Sequence, residues 1–176
     1  MAKSEPWRFG EPRGALLYMD VLQDVLVTLT VVTAGLSAGV LAGFGYAVIP
    51  GLTRAGADVA VPAMHRMNSA ILNPLFAIIF GGGVAFGAFG TWAVWDEGLR
   101  WWVLAATLLT LLGVVITMTV NVPANNRLDA AADARGEEAA QAWAEFTAVW
   151  VPWNIVRSVL TTAAVAVLVV GVLVGR

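Results

Sequence analysis

The stretch Val120–Leu128, VNVPANNRL, sets Asn121, Asn125, Asn126, a proline and Arg127 where a long apolar run ends. His65 and Asn68 lie three residues apart, so a helix puts them on one face, and Trp150, Asn154 and Arg157 follow one another a turn apart. Trp153 stands beside them. Amides donate and accept in fixed directions, and guanidinium donates through a planar fork. Chemistry here therefore leans on asparagine, arginine, tryptophan, a few carboxylates and one imidazole. The chain has no cysteine, which excludes disulfides, thiolate metal sites and iron–sulfur clusters. A single histidine excludes bis-histidine haem and argues against a histidine-built metal centre. No cofactor is expected.

The elements that must position these residues are apolar. Of 176 residues 59% are hydrophobic and 12% charged, against about 25% charge in an ordinary soluble domain. Mean hydropathy is +0.78, and a net charge of -2 without a basic stripe gives no case for nucleic acid. The expected fold is all-α: an integral membrane four-helix antiparallel bundle, with an interfacial helix over Asp129–Glu145 before the last span. Residues 1–20 read as a polar tail and residues 21–176 as one four-span domain. The spans are expected near residues 22–49, 69–95, 100–122 and 148–175, each long enough to cross. Pro50 and Gly51 are expected to end the first span, Pro62 to open a helix into the second, and Pro74 to bend it. Gly35, Gly39 and Gly43, with Ala34, Ala38 and Ala42 beside them, form a small-residue stripe. Such a stripe suits packing between spans of one chain, or a homo-oligomer seam. Trp92, Trp95, Trp101 and Trp102 bracket the Asp96–Arg100 turn as an interfacial belt.

Four spans put all six asparagines on one side of the membrane, together with His65, Arg127, Trp150, Trp153 and Arg157. Singly, asparagines at helix ends are caps, His65 is an interfacial histidine, and the tryptophans are belt residues. Arg157 either snorkels to the headgroups or turns inward to pair with Asp129, Glu145 or a bound anion. Together the polar residues exceed what capping needs and mark a candidate site. Basic residues divide five and five between the two sides, so the positive-inside rule assigns no orientation to this multi-pass protein of the cell membrane.

Four motifs, YAVIPGL (Tyr46–Leu52), MNSAILNP (Met67–Pro74), VNVPANNRL and W-x-x-W-N-x-x-R (Trp150–Arg157), resemble in order and spacing the anthrone oxygenase-like family of small four-span membrane proteins. The resemblance covers roughly residues 25–174. It implies oxidation of a lipophilic aromatic or polyketide-type molecule by molecular oxygen, without a cofactor. An anthrone is a carbon acid whose enolate reduces oxygen directly, so the protein need only offer a base, stabilise an oxyanion and exclude water. On this resemblance His65 is the base. Asn68, Asn121, Asn125, Asn154 and Arg157 orient and stabilise, and Trp150, Trp153, Asn126 and Arg127 bind substrate. The other reading is a non-catalytic membrane protein, binding a lipid or small molecule or serving as a subunit of a larger complex.

Overall fold

The computed structural model describes residues 13–95 and 97–174, and no strand occurs among them. In hydrocarbon a backbone must satisfy its own polar groups, which apolar runs of this length achieve as helices. Four helical stretches are long and apolar enough to cross a membrane: Leu17–Ala55, Pro74–Ala93, Arg100–Ala130 and Glu137–Val174.

The first stretch begins with α1 (Arg13–Gly43), which passes through a π-helical turn (Phe44–Val48) into α2 (Ile49–Ala55). Residues 13–20 of the expected tail are thus helical, and residues 1–12 lie outside the described ones. Pro50 and Gly51 do not stop the first span. Pro50 stands in the first turn of α2, directly after the π-helical turn that carries the helix into it. The stop comes at Gly56, whose φ of +88° suits glycine.

α3 (Ala57–Ile71) follows as a helix of its own, with Pro62 inside it rather than opening it. Asn73 then caps α4 (Pro74–Ala93), its Oδ1 accepting the Phe76 N–H at 3.0 Å and its Nδ2 donating to the Ala70 carbonyl at 2.9 Å. Pro74 accordingly begins the second span instead of bending it. Asp96 lies outside the described residues, and the turn from Glu97 leads into α5 (Arg100–Ile116). A second π-helical turn (Thr117–Asn121) joins α5 to α6 (Val122–Ala130). α7 (Glu137–Val174) is one helix of 38 residues. The segment expected as an interfacial helix is helical at both ends, but it is divided at the loop ending in Gly136, whose φ is +60°. Its second part forms the first turns of α7 itself.

α1 and α5 each pack against both α4 and α7. A Cβ added at Gly82 would meet Thr33, and one at Gly90 would approach Leu26, so α4 runs opposite to α1. Gly83 and Gly87 meet Thr110 and Thr107 of α5 in the same sense, while Gly113 of α5 faces Thr161 of α7 and Gly171 of α7 faces Trp102 of α5. The threonines return their hydroxyls to carbonyls one turn back, which leaves methyl groups from Thr33 and Thr110 to fill the contacts. The stripe of Gly35, Gly39 and Gly43 takes no part, since a Cβ at any of them meets nothing within 4 Å. α1 offers its buried Thr33, Ala34, Ser37 and Ala38 instead, because α4 already supplies the glycines.

Two apolar cores result. One, around Val27, Val94, Leu99, Val103, Ala164 and Leu168, fills the end of the bundle near the tryptophan belt. The other joins Ile49, Val61, Met64, Leu128, Trp143, Phe146 and Trp150 into a cap made by α2, α3, α6 and the first turns of α7. The Trp143 Nε1–H donates to Thr53 Oγ1 at 3.1 Å, and the Gly136 N–H donates to Asp58 Oδ1 at 2.8 Å, which ties the two connectors together.

This packing separates the glycines by function. A methyl group at Gly171 would overlap Trp102 Cβ and Cγ, and one at Gly87 would overlap Thr107 Oγ1, itself anchored to the Val103 carbonyl. Gly171→Ala and Gly87→Ala are expected to destabilise by about 1–3 kcal/mol through overpacking. Gly39→Ala should be neutral or slightly stabilising through helix propensity. Unfolding of the three variants in detergent micelles checks this, and equal melting would contradict the packing.

Candidate functional site

Between cap and bundle the helices leave a cavity of about 160 Å³. Its position follows from a device used twice. Each π-helical turn closes with a backbone bond five residues long, Ile49 N–H to the Phe44 carbonyl and Val122 N–H to the Thr117 carbonyl. Each is followed at the same offset by a proline, Pro50 or Pro123, which cannot bond the carbonyl four residues back and crowds it. The wider turn relieves that conflict and re-aims the residues it contains. In the first turn Gly45 brings its backbone near α7, and a Cβ there would stand 3.2 Å from Asn154 Nδ2.

The polar wall comes from two inward stripes. Thr117, Asn121, Asn125 and Asp129 recur every four residues through the second π-turn and α6, and all four line the cavity. Trp150, Asn154 and Arg157 lie on the stripe of α7 that is buried from Trp143 through Thr161 to Gly171. Asn154 is 1% exposed and Arg157 4%. Asn154 Nδ2 donates to the Leu41 carbonyl at 2.8 Å, so its Oδ1 is the atom that accepts from Arg157 Nη2 at 2.9 Å. Arg157 Nη1 donates to Thr117 Oγ1 at 2.8 Å, and that hydroxyl donates to the Gly113 carbonyl at 2.9 Å. The guanidinium carbon stands 5.5 Å from the Trp150 ring centroid, a cation–π contact. Asn121, 1% exposed, donates from Nδ2 to the Trp150 carbonyl at 3.2 Å.

Arg157 thus faces inward, but neither Asp129 nor Glu145 pairs with it: neutral oxygens and an aromatic face hold it. Three buried atoms of this wall have no hydrogen-bond partner, namely Arg157 Nε, Asn121 Oδ1 and Asn125 Oδ1. At the other side of the cavity Asn68 of α3 donates to Asp129 Oδ1 at 3.1 Å. His65 Nδ1 lies 3.1 Å from the same oxygen, close but not aligned as a hydrogen bond.

The structure brings Asn68, Asn121, Asn125, Asn126, Trp150, Asn154 and Arg157 to this one cavity. His65, Arg127 and Trp153 do not line it. His65 stands behind Asp129 with its side chain 42% exposed, and Arg127 and Trp153 are exposed. The imidazole therefore does not touch the cavity itself. Sequence reasoning passed over Asp129 and Thr117 as site residues, although their four-residue spacing with Asn121 and Asn125 was visible. Phe44, Phe76 and Phe80, which form much of the apolar wall, gave no signal beyond hydrophobicity. Phe76 and Phe80 stack with ring centroids 5.3 Å apart. The apolar rim includes Val40, Met67 and Leu72, all exposed, Leu72 by 80%.

A family model described as anthrone oxygenase matches residues 62–167, from within α3 to within the last turns of α7. No curated protein and no solved structure matches the chain.

Two asparagines separate capping from site architecture. Asn73→Ala removes an exposed cap and is expected to cost about 1 kcal/mol. Asn154→Ala strips one donor from the Leu41 carbonyl and the acceptor from a buried guanidinium, so a loss of about 2–3 kcal/mol is expected. Denaturation midpoints in micelles give the comparison, and an Asn154 variant no worse than the Asn73 variant would contradict the network.

Proposed function

The chain belongs to the anthrone oxygenase family, and on that premise we propose that it is a cofactor-free oxygenase of the cell membrane, acting on a lipophilic aromatic carbon acid in this cavity. One observation carries the reading. Arg157 lines the cavity and is buried without a carboxylate partner among the described residues, and its Nε, itself fully buried, has no hydrogen-bond partner. A cationic donor left without a counter-charge in this way suits an oxygen that becomes negative during a reaction. Asn121 Oδ1, whose orientation is fixed by the bond from Nδ2 to the Trp150 carbonyl, suits a ligand hydroxyl. A flat ketone bearing a phenolic group meets both demands, while Phe44, Phe76 and Phe80 offer its rings an apolar face.

The reaction balances without a redox group in the protein. A CH₂ conjugated with the ketone through the ring system loses a proton, and the electron pair of that C–H bond moves through the rings into an enolate whose oxygen lies against Arg157. The enolate gives its electrons to molecular oxygen and forms a carbon–oxygen bond, leaving a peroxide. Loss of the second C–H proton then expels hydroxide, so CH₂ and O₂ become C=O and water. One oxygen atom enters the substrate, which makes the reaction a monooxygenation. Arg157 contributes by favouring the enolate over the ketone in a site with little competing water.

Arg157→Lys tests this directly, since lysine keeps the charge but lacks the fork that reaches Asn154 and Thr117 at once. Oxygen uptake with anthrone as substrate is expected to fall about a hundredfold, as when a donor to a developing oxyanion is removed. Some loss of melting temperature accompanies the lost fork, so uptake is compared at temperatures where both proteins are folded. Unchanged uptake by Arg157→Lys would remove the support for this reading.

A further inference from the structure

We propose that Asp129 is the proton acceptor of this site, with Asn68 and His65 as the residues that position it. The inference rests on the oxygenase reading and adds the group that reading lacks. Among the described residues on the cavity wall Asp129 is the only carboxylate, the asparagines are not bases, and His65 does not reach the wall. The carboxylate is held from one side only. Asn68 Nδ2 donates to Oδ1, and His65 Nδ1 lies 3.1 Å from that same oxygen. No hydrogen bond or ion pair among the described residues falls on Oδ2, which is left as the acceptor.

The arrangement also keeps base and electrophile apart. Asp129 and Arg157 line the same cavity yet form no salt bridge, so neither quenches the other by direct contact. A carbon acid lying between them meets a carboxylate at its C–H and a cationic donor at its ketone oxygen. That division of labour is what proton abstraction from a carbon conjugated with a ketone requires.

The proton account closes on this one residue. Oδ2 takes the first proton as the C–H pair enters the enolate. The carboxylic acid returns that proton to the peroxide formed with oxygen, and Oδ2 takes the second proton as the O–O bond breaks. The departing hydroxide then collects it as water. No net proton leaves the site, so His65 need not shuttle one to the exposed side. Asn68 fixes Oδ1 through its N–H, and His65, set 3.1 Å from the same oxygen without a hydrogen bond, flanks it, so that Oδ2 is the oxygen left to act.

Hydrogen exchange without oxygen isolates this step. Anthrone is incubated anaerobically in D₂O micelles with the full chain, and deuterium incorporation at its CH₂ is followed by mass spectrometry against empty micelles. The wild-type protein should accelerate exchange, and Asp129→Asn should lose at least about a hundredfold of that acceleration while anthrone binding and melting persist. Asp129→Ala with added formate should recover part of it, even if Asp129→Asn proves unstable. His65→Asn, which retains an N–H near the Nδ1 position, should stay close to wild type, whereas His65→Leu should lower the rate constant more than it raises KM. Wild-type exchange that survives intact in Asp129→Asn overturns the assignment and leaves the oxygenase reading standing. A wild-type protein that exchanges no faster than empty micelles overturns both.

Discussion

A guanidinium held among apolar helices forfeits the water that would otherwise meet its N–H groups, at a cost of about 3 kcal/mol on insertion scales and more in other estimates. Arg157 could have escaped by extending toward the headgroups. Instead it lies on the innermost stripe of α7, between Asn154 and Thr161, and is 4% exposed. Every nearby feature answers that choice. Asn154 supplies an oxygen only because the Leu41 carbonyl of α1 takes its amide N–H, and Thr117 is presented by the π-helical turn that ends α5. Trp150 adds its ring face one turn earlier on α7. The charge thereby fixes α1, α5 and α7 relative to one another at this level of the bundle.

Helix spacing along the bundle then makes the cavity. At the end near the tryptophan belt, α4 presents Gly82, Gly83, Gly87 and Gly90, all buried, and lets α1 and α5 approach its backbone. In its first turns the same helix carries Phe76 and Phe80 instead. Glycine draws helices together by removing side-chain bulk, and stacked phenylalanines hold them apart. One helix therefore closes the bundle at one end and opens it at the other, and the open end is where Arg157 sits, held by neutral oxygens and an aromatic face.

Much of this was legible from residue types. Uncharged runs of span length announced four helices, and the one-sided asparagines located the end of the bundle that holds the cavity. The spacing of Trp150, Asn154 and Arg157 indicated a shared helix face, which is how the structure sets them. What stayed illegible depended on neighbours. Gly39 and Gly87 look alike in sequence, yet only Gly87 faces a threonine, because which face a helix buries is decided by its partners. Pro50 reads as a terminator, since a rule based on α-helical bonding makes no provision for a π-helical turn just before it. His65 and Asn68 share a helix face, but only Asn68 reaches the cavity. The carboxylate between the pair and the cavity belongs to a helix 61 residues further along the chain.

The cap explains how a polar site can exist so near the membrane surface without flooding. Trp143, Phe146, Trp150, Met64 and Leu128 form an apolar core on the connector side of Arg157, and two side-chain bonds bind the connectors that build it. Polar access from that side is therefore obstructed by the best-packed residues of the cap. On the flank toward α1 and α4 the rim consists of Val40, Met67 and Leu72, exposed apolar residues next to Phe76 and Phe80. These side chains are exposed apolar surface beside helices long and apolar enough to cross a membrane. An apolar rim of this kind suits the proposed function, since flat aromatics and molecular oxygen both partition into a bilayer. The amides and the guanidinium on the far wall then contribute in a medium of low dielectric, where a fixed donor stabilises charge far more than it would in solution.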